Sequence, residues 1–344
     1  MIPNIYATIT IALTILSCVP ENSDYSDSPR YGNNRVESNS IRRMLILGDS
    51  IATGVLIDTK IGDPLEPSFS GNTLSLELSK ENTLNLDLNL LMAGENINNS
   101  YVVESINGLE QNYKKNPSAF FGGVDFPNDQ VSLSAKLGLN SNRVINAAIS
   151  GYRTSDVLNK ALPDFTNQKK DDVDLVVLEI GANDFCSSLD PIELKSQFTE
   201  NYSGILRKLS LIKSKPKVLI IPIPDIPNIL SEASDRTALS VAVPPFTEGS
   251  VSCQELQQNY CPRFRDYGIS EGVALASELN KIIEELVDKF NDDKDVRFKL
   301  VSGVAERNAF TSEMLSIDCF HFGDAGHHIL SNLSYEAYMN FSSP

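Results

Sequence analysis

A serine and a histidine–aspartate pair give this sequence the parts of a nucleophilic catalyst. Ser50 ends a Gly-Asp-Ser triplet, which is also ordinary turn sequence. A neutral imidazole can take the proton of a serine hydroxyl when a carboxylate holds its other ring nitrogen, and Asp318 stands three residues before His321. The other two histidines, His327 and His328, compete for this role, although they fall in a predicted helix where His327 favours a structural contact. The chemistry of such a set is acyl transfer through the serine.

Three further groups could donate hydrogen bonds to the oxyanion that acyl transfer creates. They are the backbone N–H groups of Ser50 and Gly151 and the side-chain amide of Asn183. Glycine at position 151 would let the main chain approach a substrate closely. An asparagine followed by Asp184 is also typical of a helix cap after a strand, so both interpretations of Asn183 stand.

Short apolar runs that end in small-residue turns would position these groups. Such runs are typical of strands buried on both faces, and patterns with a helical period separate them. The predicted strands are 44–47, 143–148, 174–180, 217–223 and 296–301. The clearest helix covers 276–290, and the last one begins near Ala325. This alternation indicates a parallel sheet covered on both faces, with the turns after the first three strands at one edge.

The composition of the chain excludes several classes of function. Its 344 residues are 41% hydrophobic, which is enough for a sizeable core, and α/β folds of this length often form one domain. The 29 basic and 45 acidic residues give a formal net charge of -16, which argues against binding nucleic acid and against electrostatic docking on anionic lipid. The sequence contains no Walker loop, His-Glu-x-x-His motif, Cys-x-x-Cys pair or Gly-x-Ser-x-Gly elbow.

The amino-terminal stretch has the features of an export signal. Residues 5–17 form an apolar run that is too short to span a bilayer. The run leads into Ile15-Leu16-Ser17-Cys18, which resembles a bacterial lipobox in which Cys18 would be lipidated; the alternative is ordinary signal cleavage nearby. We therefore predict a signal or lipoprotein signal at 1–18, a disordered tether at 19–41 and a folded domain at 42–344. The protein would be exported, as a periplasmic, outer-membrane or secreted protein.

Two segments do not fit the alternation of strands and helices. The first is a long insertion at about 55–139, in which leucines alternate with polar residues over 74–78 and 84–90. This period predicts a hairpin whose apolar face packs on the domain, lines an acyl-chain groove or touches a membrane. The second segment, 224–268, is dotted with prolines and lacks clear periodicity. It predicts a long loop that shapes a substrate site, unless it is disordered.

Four short motifs resemble a known family. In chain order, Gly48-Asp49-Ser50, Gly151, Gly181-x-Asn183-Asp184 and Asp318-x-x-His321 are similar to the four blocks of the SGNH or GDSL family of serine esterases and lipases. The resemblance implies that Ser50 is the nucleophile, that Asp318 and His321 complete a triad, and that Gly151 and Asn183 join Ser50 as oxyanion donors. It also implies a flavodoxin-like three-layer α/β/α sandwich around a parallel sheet of about five strands. Such a mechanism needs no metal or cofactor.

The cysteines indicate which members of this family the chain resembles most. The blocks around Cys186 and Cys319 look like those of phospholipase B-like members, whose substrates are phospholipids, lysophospholipids and related lipid esters. Because these two blocks must meet, we expect a disulfide between Cys186 and Cys319 and a second between Cys253 and Cys261. Four cysteines besides Cys18 fit an oxidising compartment.

The resulting hypothesis is an exported serine esterase that hydrolyses carboxylic esters, with lipid acyl esters as the expected substrate. A carbohydrate acetyl-esterase or a short-chain arylesterase is the alternative within the same class. A lipid substrate predicts a long apolar channel, whereas an acetylated sugar predicts a shallow polar pocket. A surface binding protein on an inactive hydrolase scaffold is the alternative from another class. The expected partners are an ester substrate and, if Cys18 carries lipid, a membrane; nucleic acid is not expected.

Overall fold

The computed structural model of the chain describes residues 41–61, 66–78, 83–91, 101–102, 104–106, 118–122, 132–167, 172–242, 248–291 and 297–342. The predicted signal segment, Cys18 and the predicted tether up to residue 40 lie outside these ranges, as do parts of the insertion at 55–139. Across the described ranges, no helix combines the length and the apolar character needed to cross a bilayer.

The described strands form one parallel sheet and two small antiparallel sheets. In chain order the strands are β1 (Met44–Gly48), β2 (Glu66–Ser70), β3 (Thr73–Glu77), β4 (Thr83–Asp87), β5 (Val144–Asn146), β6 (Leu175–Glu179), β7 (Lys217–Ile221), β8 (Thr237–Ala242), β9 (Glu248–Ser252) and β10 (Arg297–Leu300). The parallel sheet has the order β10-β7-β6-β1-β5. The antiparallel sheets are β2-β3-β4 and β8-β9.

The order of the parallel sheet is that of a flavodoxin-like fold. Numbered along the chain, its five strands lie in the order 2-1-3-4-5. The chain passes from β1 to the edge strand β5 and then crosses back to β6, so the winding reverses between β1 and β6. Ligands of such sheets bind at the carboxyl ends of the strands that flank this reversal. The predicted fold is confirmed, and the predicted strands agree with the observed ones to within a few residues.

Helices cover both faces of this sheet. They are α1 (Ser50–Thr53), α2 (Leu88–Leu91), α3 (Leu133–Lys136), α4 (Thr154–Asp156), α5 (Leu162–Asn167), α6 (Ala182–Phe185), α7 (Pro191–Ser210), α8 (Ile226–Ala233), α9 (Cys253–Tyr260), α10 (Pro262–Asn291) and α11 (Asp324–Ser342). A π-helical turn, Val157–Ala161, joins α4 to α5. Helix α11 packs with α3, whereas α10 packs with α7. Since parallel crossovers are right-handed, the connection to β5 and the later connections lie on opposite faces.

Continuous apolar sequences explain why the central strands form. Every side chain of β1 is buried, and the residues from Met44 to Leu47 have no exposed surface. The neighbouring strand β6 is equally buried, although its last residue is a glutamate, Glu179. Strands covered by helices on both faces require such runs, because no side of the strand faces water.

The leucine-rich part of the insertion packs on the core of the domain. The leucines at 74, 76 and 78 and at 84 and 86 are buried and belong to the main hydrophobic core. The predicted hairpin is confirmed as β3 and β4, with β2 as an additional strand on its outer side. Of the three predicted roles for its apolar face, packing on the domain is the one observed. Leu90, in α2, is different, since 52% of it is exposed.

The prediction of a long loop at 224–268 is wrong. This segment folds into α8, the hairpin of β8 and β9, α9 and the beginning of α10. The two helices within it are only eight residues long, which is too short to produce a clear periodic pattern. Helix α8 nevertheless has its apolar side chains buried, and its first residues lie at the carboxyl edge of the sheet after β7.

Two leucines of the insertion allow its packing to be tested. We expect Leu86→Ala to lower the free energy of unfolding by about 2–5 kcal/mol, because it leaves a cavity in the core. Leu90→Ala is the matched control and should change the free energy of unfolding by less than about 0.5 kcal/mol, since Leu90 is exposed. The measurement is urea denaturation of both variants. Equal losses in the two variants would contradict the packing of the hairpin on the domain.

Candidate active site

Ser50 stands at a tight turn between β1 and α1. A Cβ atom on Gly48, the last residue of β1, would lie 2.3 Å from the Glu179 carbonyl oxygen on β6, so this close approach requires glycine. The Asp49 side chain caps α1 by accepting a hydrogen bond of 3.0 Å from the Ile51 N–H. Ser50 is the first residue of α1, and N–H groups at that position have no acceptor within a helix. The turn therefore presents both the hydroxyl and the N–H of Ser50.

His321 joins Ser50 to Asp318 by two short hydrogen bonds. Its Nε2 lies 2.7 Å from the Ser50 Oγ, and its Nδ1 lies 2.6 Å from the Asp318 Oδ2. All three residues are buried. When an ionised Asp318 accepts the Nδ1 hydrogen, Nε2 carries no proton and accepts the hydrogen of the Ser50 hydroxyl. This is the geometry that a general base needs to activate a serine.

The surroundings of Asp318 keep it ionised. Burial alone would raise the pKa of Asp318, but the charge and hydrogen bond of His321, followed by other donors, hold that pKa below its usual value. Ser316 Oγ donates to Asp318 Oδ1 at 2.5 Å, and the N–H groups of Phe320 and His321 each donate to the same oxygen at 3.0 Å. Each of these donors stabilises the carboxylate relative to the acid, so Asp318 carries its charge at neutral pH.

The turn that carries Asp318 and His321 contains a residue in an uncommon conformation. Cys319 has a φ of 60°, in the left-handed region that side-chain-bearing residues rarely occupy. Its carbonyl accepts a hydrogen bond of 3.2 Å from Gln257 Nε2, and its sulfur is bonded to Cys253. Both contacts come from α9. This helix therefore fixes the turn from outside and stabilises the conformation in which the carboxylate and the imidazole meet.

The four cysteines of the described domain form two disulfides, although not in the predicted pairs. Cys186 is bonded to Cys261, and Cys253 is bonded to Cys319. The predicted pairs, Cys186–Cys319 and Cys253–Cys261, are wrong. Cys253 begins α9 and Cys261 follows its end, so the two lie about 12 Å apart along the helix, beyond the reach of about 7 Å between Cα atoms that a disulfide allows. Instead, the cysteine at the start of α9 is bonded to the block around Cys319, and the cysteine after its end is bonded to the block around Cys186.

Gly151 lies in a turn that begins beside β1. The Ile149 N–H donates to the Gly48 carbonyl at 3.1 Å, and the Tyr152 N–H donates to the Ile149 carbonyl at 3.2 Å. Gly151 is the third residue of this turn and has a φ of 78°, the value that a type II turn requires and that favours glycine. The Gly151 backbone is thus held at the carboxyl edge of the sheet, next to the turn of Ser50.

Asn183 and Asp184 tie the turn after β6 to the loop after β5. Asn183 Nδ2 donates to the Tyr152 carbonyl at 3.0 Å, which orients the amide and leaves its second N–H for another acceptor. Asp184 accepts from the N–H and the hydroxyl of Thr154 at 2.9 and 2.7 Å, while burial raises the pKa of Asp184 to about 6. The helix-cap interpretation of Asn183 is wrong, because the cap of α6 is Gly181.

An apolar pocket opens beside Ser50. Apart from Ser50, the described residues that line it have apolar side chains, namely Ile51, Ala182, Ile226, Ile229, Leu230, Leu315, Phe320 and Phe322. Three of these, Ile226, Ile229 and Leu230, belong to α8, within the segment that was predicted to be a loop. The apolar spacing within Ile226–Ala233 is that of a helix, but eight residues are too few for this spacing to distinguish a helix from a loop.

The other two histidines have different surroundings. His327 is buried in α11, where its Nδ1 accepts a hydrogen bond of 3.0 Å from the Ala119 N–H. Burial, and then the charge of His321, lower the pKa of His327 to about 3, so it stays neutral. The pKa of His328 is also lowered, by burial and then by Lys136. The structural contact predicted for His327 is confirmed, and His321 is the histidine that contacts the serine.

Several residues that surround the site were not predicted from the sequence. Glu179 is buried at the end of β6, and the signal was a carboxylate inside an otherwise apolar strand. Gln257 and Tyr260 lie on α9, and the Tyr260 ring packs 5.2 Å from that of Phe320 and 5.7 Å from that of His321, between centroids. The Ser252-x-x-Glu255 capping box is a local signal for the start of α9, but no local pattern shows which residues of this helix contact the distant turn.

Together these groups have the parts that acyl transfer requires: a serine hydroxyl, an oriented imidazole, donors at one sheet edge and an apolar pocket. Among the described residues, no three His, Cys, Asp or Glu side chains are grouped so as to hold a metal ion. The comparison with known families agrees with this chemistry, since the model of the GDSL-like lipase/acylhydrolase family matches residues 44–333. The chain belongs to this family. It is a GDSL-type hydrolase of carboxylic esters, with the SGNH hydrolase fold.

Several solved structures resemble this GDSL hydrolase at low sequence identity. The psychrotrophic esterase EstA from Pseudoalteromonas sp. is 13% identical, with a TM-score of 0.37 over 87% of this chain and 98% of that one. A carbohydrate esterase of family 3 from Talaromyces cellulolyticus is 13% identical, with a TM-score of 0.41 over 87% and 97%. A lipase, Lip_vut3, from a goat rumen metagenome is 15% identical, with a TM-score of 0.40 over 86% and 96%. No curated protein matches the chain.

The disulfide beside His321 gives a test of how the hydrolase holds its imidazole. Replacing Cys253 and Cys319 together by serine should lower the free energy of unfolding by about 2–5 kcal/mol. It should also abolish the low-field proton NMR signal of the His321 Nδ1–H bound to Asp318, because the turn loses its covalent tie.

The matched control for this test replaces Cys186 and Cys261 by serine. That disulfide spans a similar sequence separation, 75 against 66 residues, but is not attached to the turn of His321. The control should lose comparable stability and keep the low-field signal. A signal that persists unchanged in the Cys253 and Cys319 variant would contradict a role of α9 in fixing the imidazole.

Proposed function

We propose that this hydrolase cleaves lipid acyl esters through a covalent acyl-enzyme on Ser50. The observation that carries the proposal is the continuous hydrogen-bonded chain from Ser50 Oγ through His321 to Asp318, with bonds of 2.7 and 2.6 Å. In acylation, Ser50 Oγ attacks the ester carbonyl carbon while His321 Nε2 takes the hydroxyl proton. The alcohol leaves with that proton, and the acyl group stays on Ser50.

The second half of the reaction uses the same residues. A water molecule gives its proton to His321 Nε2 as it attacks the acyl-enzyme, and Ser50 recovers its proton when the carboxylic acid leaves. In both tetrahedral intermediates the negative charge lies on the former carbonyl oxygen. The N–H groups of Ser50 and Gly151 and the second N–H of the Asn183 amide are the proposed donors to that oxygen. Asp318 keeps its charge throughout and stabilises the imidazolium.

The pocket beside Ser50 supports an apolar acyl group as the substrate part that is bound there. Among the described residues that line it, the Ser50 hydroxyl is the one side-chain group that can form a hydrogen bond. A polar sugar would lose its hydrogen bonds to water on entering, whereas a hydrocarbon chain gains roughly 0.8 kcal/mol per buried CH₂. The similarity of the blocks around Cys186 and Cys319 to phospholipase B-like enzymes supports the same assignment.

Export of the hydrolase remains part of this proposal. Its two disulfides support an oxidising compartment, since such bonds rarely persist in a reducing cytosol. The apolar run at 5–17 and the lipobox-like sequence that ends at Cys18 support a signal segment and a lipid anchor. Mass spectrometry of the mature amino terminus tests both: a diacylated Cys18 supports the anchor, and an intact Met1 contradicts export.

The substrate proposal predicts how activity changes with acyl length. We expect the domain from Arg42 onward to hydrolyse p-nitrophenyl esters with kcat/KM rising beyond acetate, and Ser50→Ala to lower kcat/KM by about 10⁴-fold or more. Activity that depends on Ser50 but is confined to acetate would instead indicate an acetyl-esterase. A folded Ser50→Ala variant as active as the parent protein would leave an inactive scaffold with a binding role.

A variant of the pocket tests whether the acyl chain binds there. Ile229→Ala enlarges the pocket, so the ester with the highest kcat/KM should become longer by one or more CH₂ groups. Ile192→Ala is the control, because Ile192 is 77% exposed and does not line the pocket. An unchanged preference in Ile229→Ala would show that the acyl chain binds elsewhere.

The base role of His321 predicts loss of activity in acid. Protonation of His321 removes the lone pair that accepts the Ser50 proton, so kcat/KM should fall as pH decreases. Asp318 does not contribute to this fall at mildly acidic pH, because its pKa is lowered. The measurement is the pH dependence of kcat/KM for a p-nitrophenyl ester under conditions where acylation limits the rate. A rate that stays flat from neutral to mildly acidic pH would count against His321 as the base.

A further inference from the structure

Two buried carboxyl groups lie directly beneath the turn of Ser50. Asp49 is fully buried and Glu179 is 3% exposed. Glu179 ends β6 in register with Gly48, the last residue of β1, so the two carboxyl groups belong to the adjoining ends of neighbouring strands. They are within hydrogen-bonding distance of each other.

One oxygen of each carboxyl group has no hydrogen-bond donor among the described residues. Asp49 accepts from the Ile51 N–H, and Glu179 accepts from the N–H groups of Asp49 and Ala52. Asp49 Oδ2 and Glu179 Oε2 are buried, and within the described parts of the chain neither receives a hydrogen bond. Two carboxylates offer only acceptors, so this arrangement is unfavourable unless one of the two groups is protonated.

The neighbouring charges indicate which group carries the proton. His321 lies near Asp49 and favours its charged form, whereas Asp184 disfavours negative charge on Asp49. Tyr202, from α7, is buried close to Glu179 and brings no positive charge. Burial, followed by the charge of Asp49, raises the pKa of Glu179 well above its usual value, while burial raises the pKa of Asp49 only to about 6. The negative charge is better accommodated on Asp49, whose side chain caps the start of α1, so the shared proton belongs to Glu179.

We propose that Glu179 is a positioning residue that, in its protonated form, donates a hydrogen bond from Oε2 to the Asp49 carboxylate and so fixes the turn that carries Ser50. The pair then holds one proton and one negative charge. Asp49 keeps both oxygens occupied, one by Ile51 and one by Glu179, and cannot rotate away from the start of α1. The inference rests on the proposed function, because it assigns the shared proton to the support of the Ser50 nucleophile.

Infrared spectroscopy tests the protonation state without reference to activity. At neutral pH the wild-type spectrum should contain the carbonyl stretch of a buried, protonated carboxylic acid, and Glu179→Gln should remove this band. Glu313→Gln, which alters an exposed carboxylate whose pKa is lowered, is the control and should leave the band in place. Absence of the band from the wild-type spectrum, or its persistence in Glu179→Gln, would overturn the proposal.

Kinetics of two variants separate positioning from a merely structural role. Glu179→Met keeps the size of the side chain but removes the donor, and it should lower kcat by about tenfold while KM changes little. Glu179→Gln keeps a neutral donor and should restore most of that loss. In wild type, loss of the shared proton at alkaline pH should lower kcat, because two adjacent carboxylates repel each other. Glu179→Gln cannot lose this proton and should keep its kcat to higher pH.

The outcomes also distinguish this inference from the proposed function. Equal kcat values in wild type, Glu179→Gln and Glu179→Met, with lower thermal stability in the last, would show a structural role and overturn the positioning. An equal loss of kcat in Glu179→Gln and Glu179→Met would overturn the need for a donor. If Ser50→Ala were fully active, the proposed function would fail, while the infrared result would still decide the protonation of Glu179.

Discussion

The hydrogen bond of 2.7 Å between Ser50 and His321 joins residues 271 positions apart, and much of the described structure keeps it in place. The serine is fixed by the sheet, because Gly48 packs against the backbone of β6. The imidazole is fixed by its own turn, through Asp318 and through the disulfide of Cys319. Catalysis of this kind loses a large part of its rate when reacting atoms shift by about 1 Å. Rigid support from two independent parts of the fold meets that requirement.

Helix α9 connects the turn of His321 to the block that follows β6. One end is bonded to the turn of His321 and the other, through Cys261, to the block that follows β6. Gln257, between the two cysteines, is also buried and donates to the same turn. The helix has only eight residues, so its conformation depends on these contacts rather than on intrinsic helix stability. Stability and catalytic geometry are therefore coupled in one short element.

The central sheet and the serine, histidine and aspartate could be predicted from the sequence, because buried strands and their terminal turns are local patterns. The disulfide pairing could not, since it depends on the position of α9 between two distant blocks. Helix α8 was missed because eight residues give little periodic signal. The importance of Glu179 was also hidden, because its partner Asp49 is distant in sequence and adjacent only through the register of β1 and β6. The features that could not be predicted are contacts between elements that lie far apart in the sequence.

The two disulfides interleave along the chain, because Cys253 lies inside the loop closed by Cys186 and Cys261, and Cys261 lies inside the loop closed by Cys253 and Cys319. In chain order, three of these cysteines precede Cys319. The nearest pair in sequence, Cys253 and Cys261, closes the shortest loop at the lowest entropic cost in an unfolded chain, yet this pair is not bonded in the folded protein. A Cys253–Cys261 bond formed in the unfolded chain would have to be exchanged before either native disulfide could form.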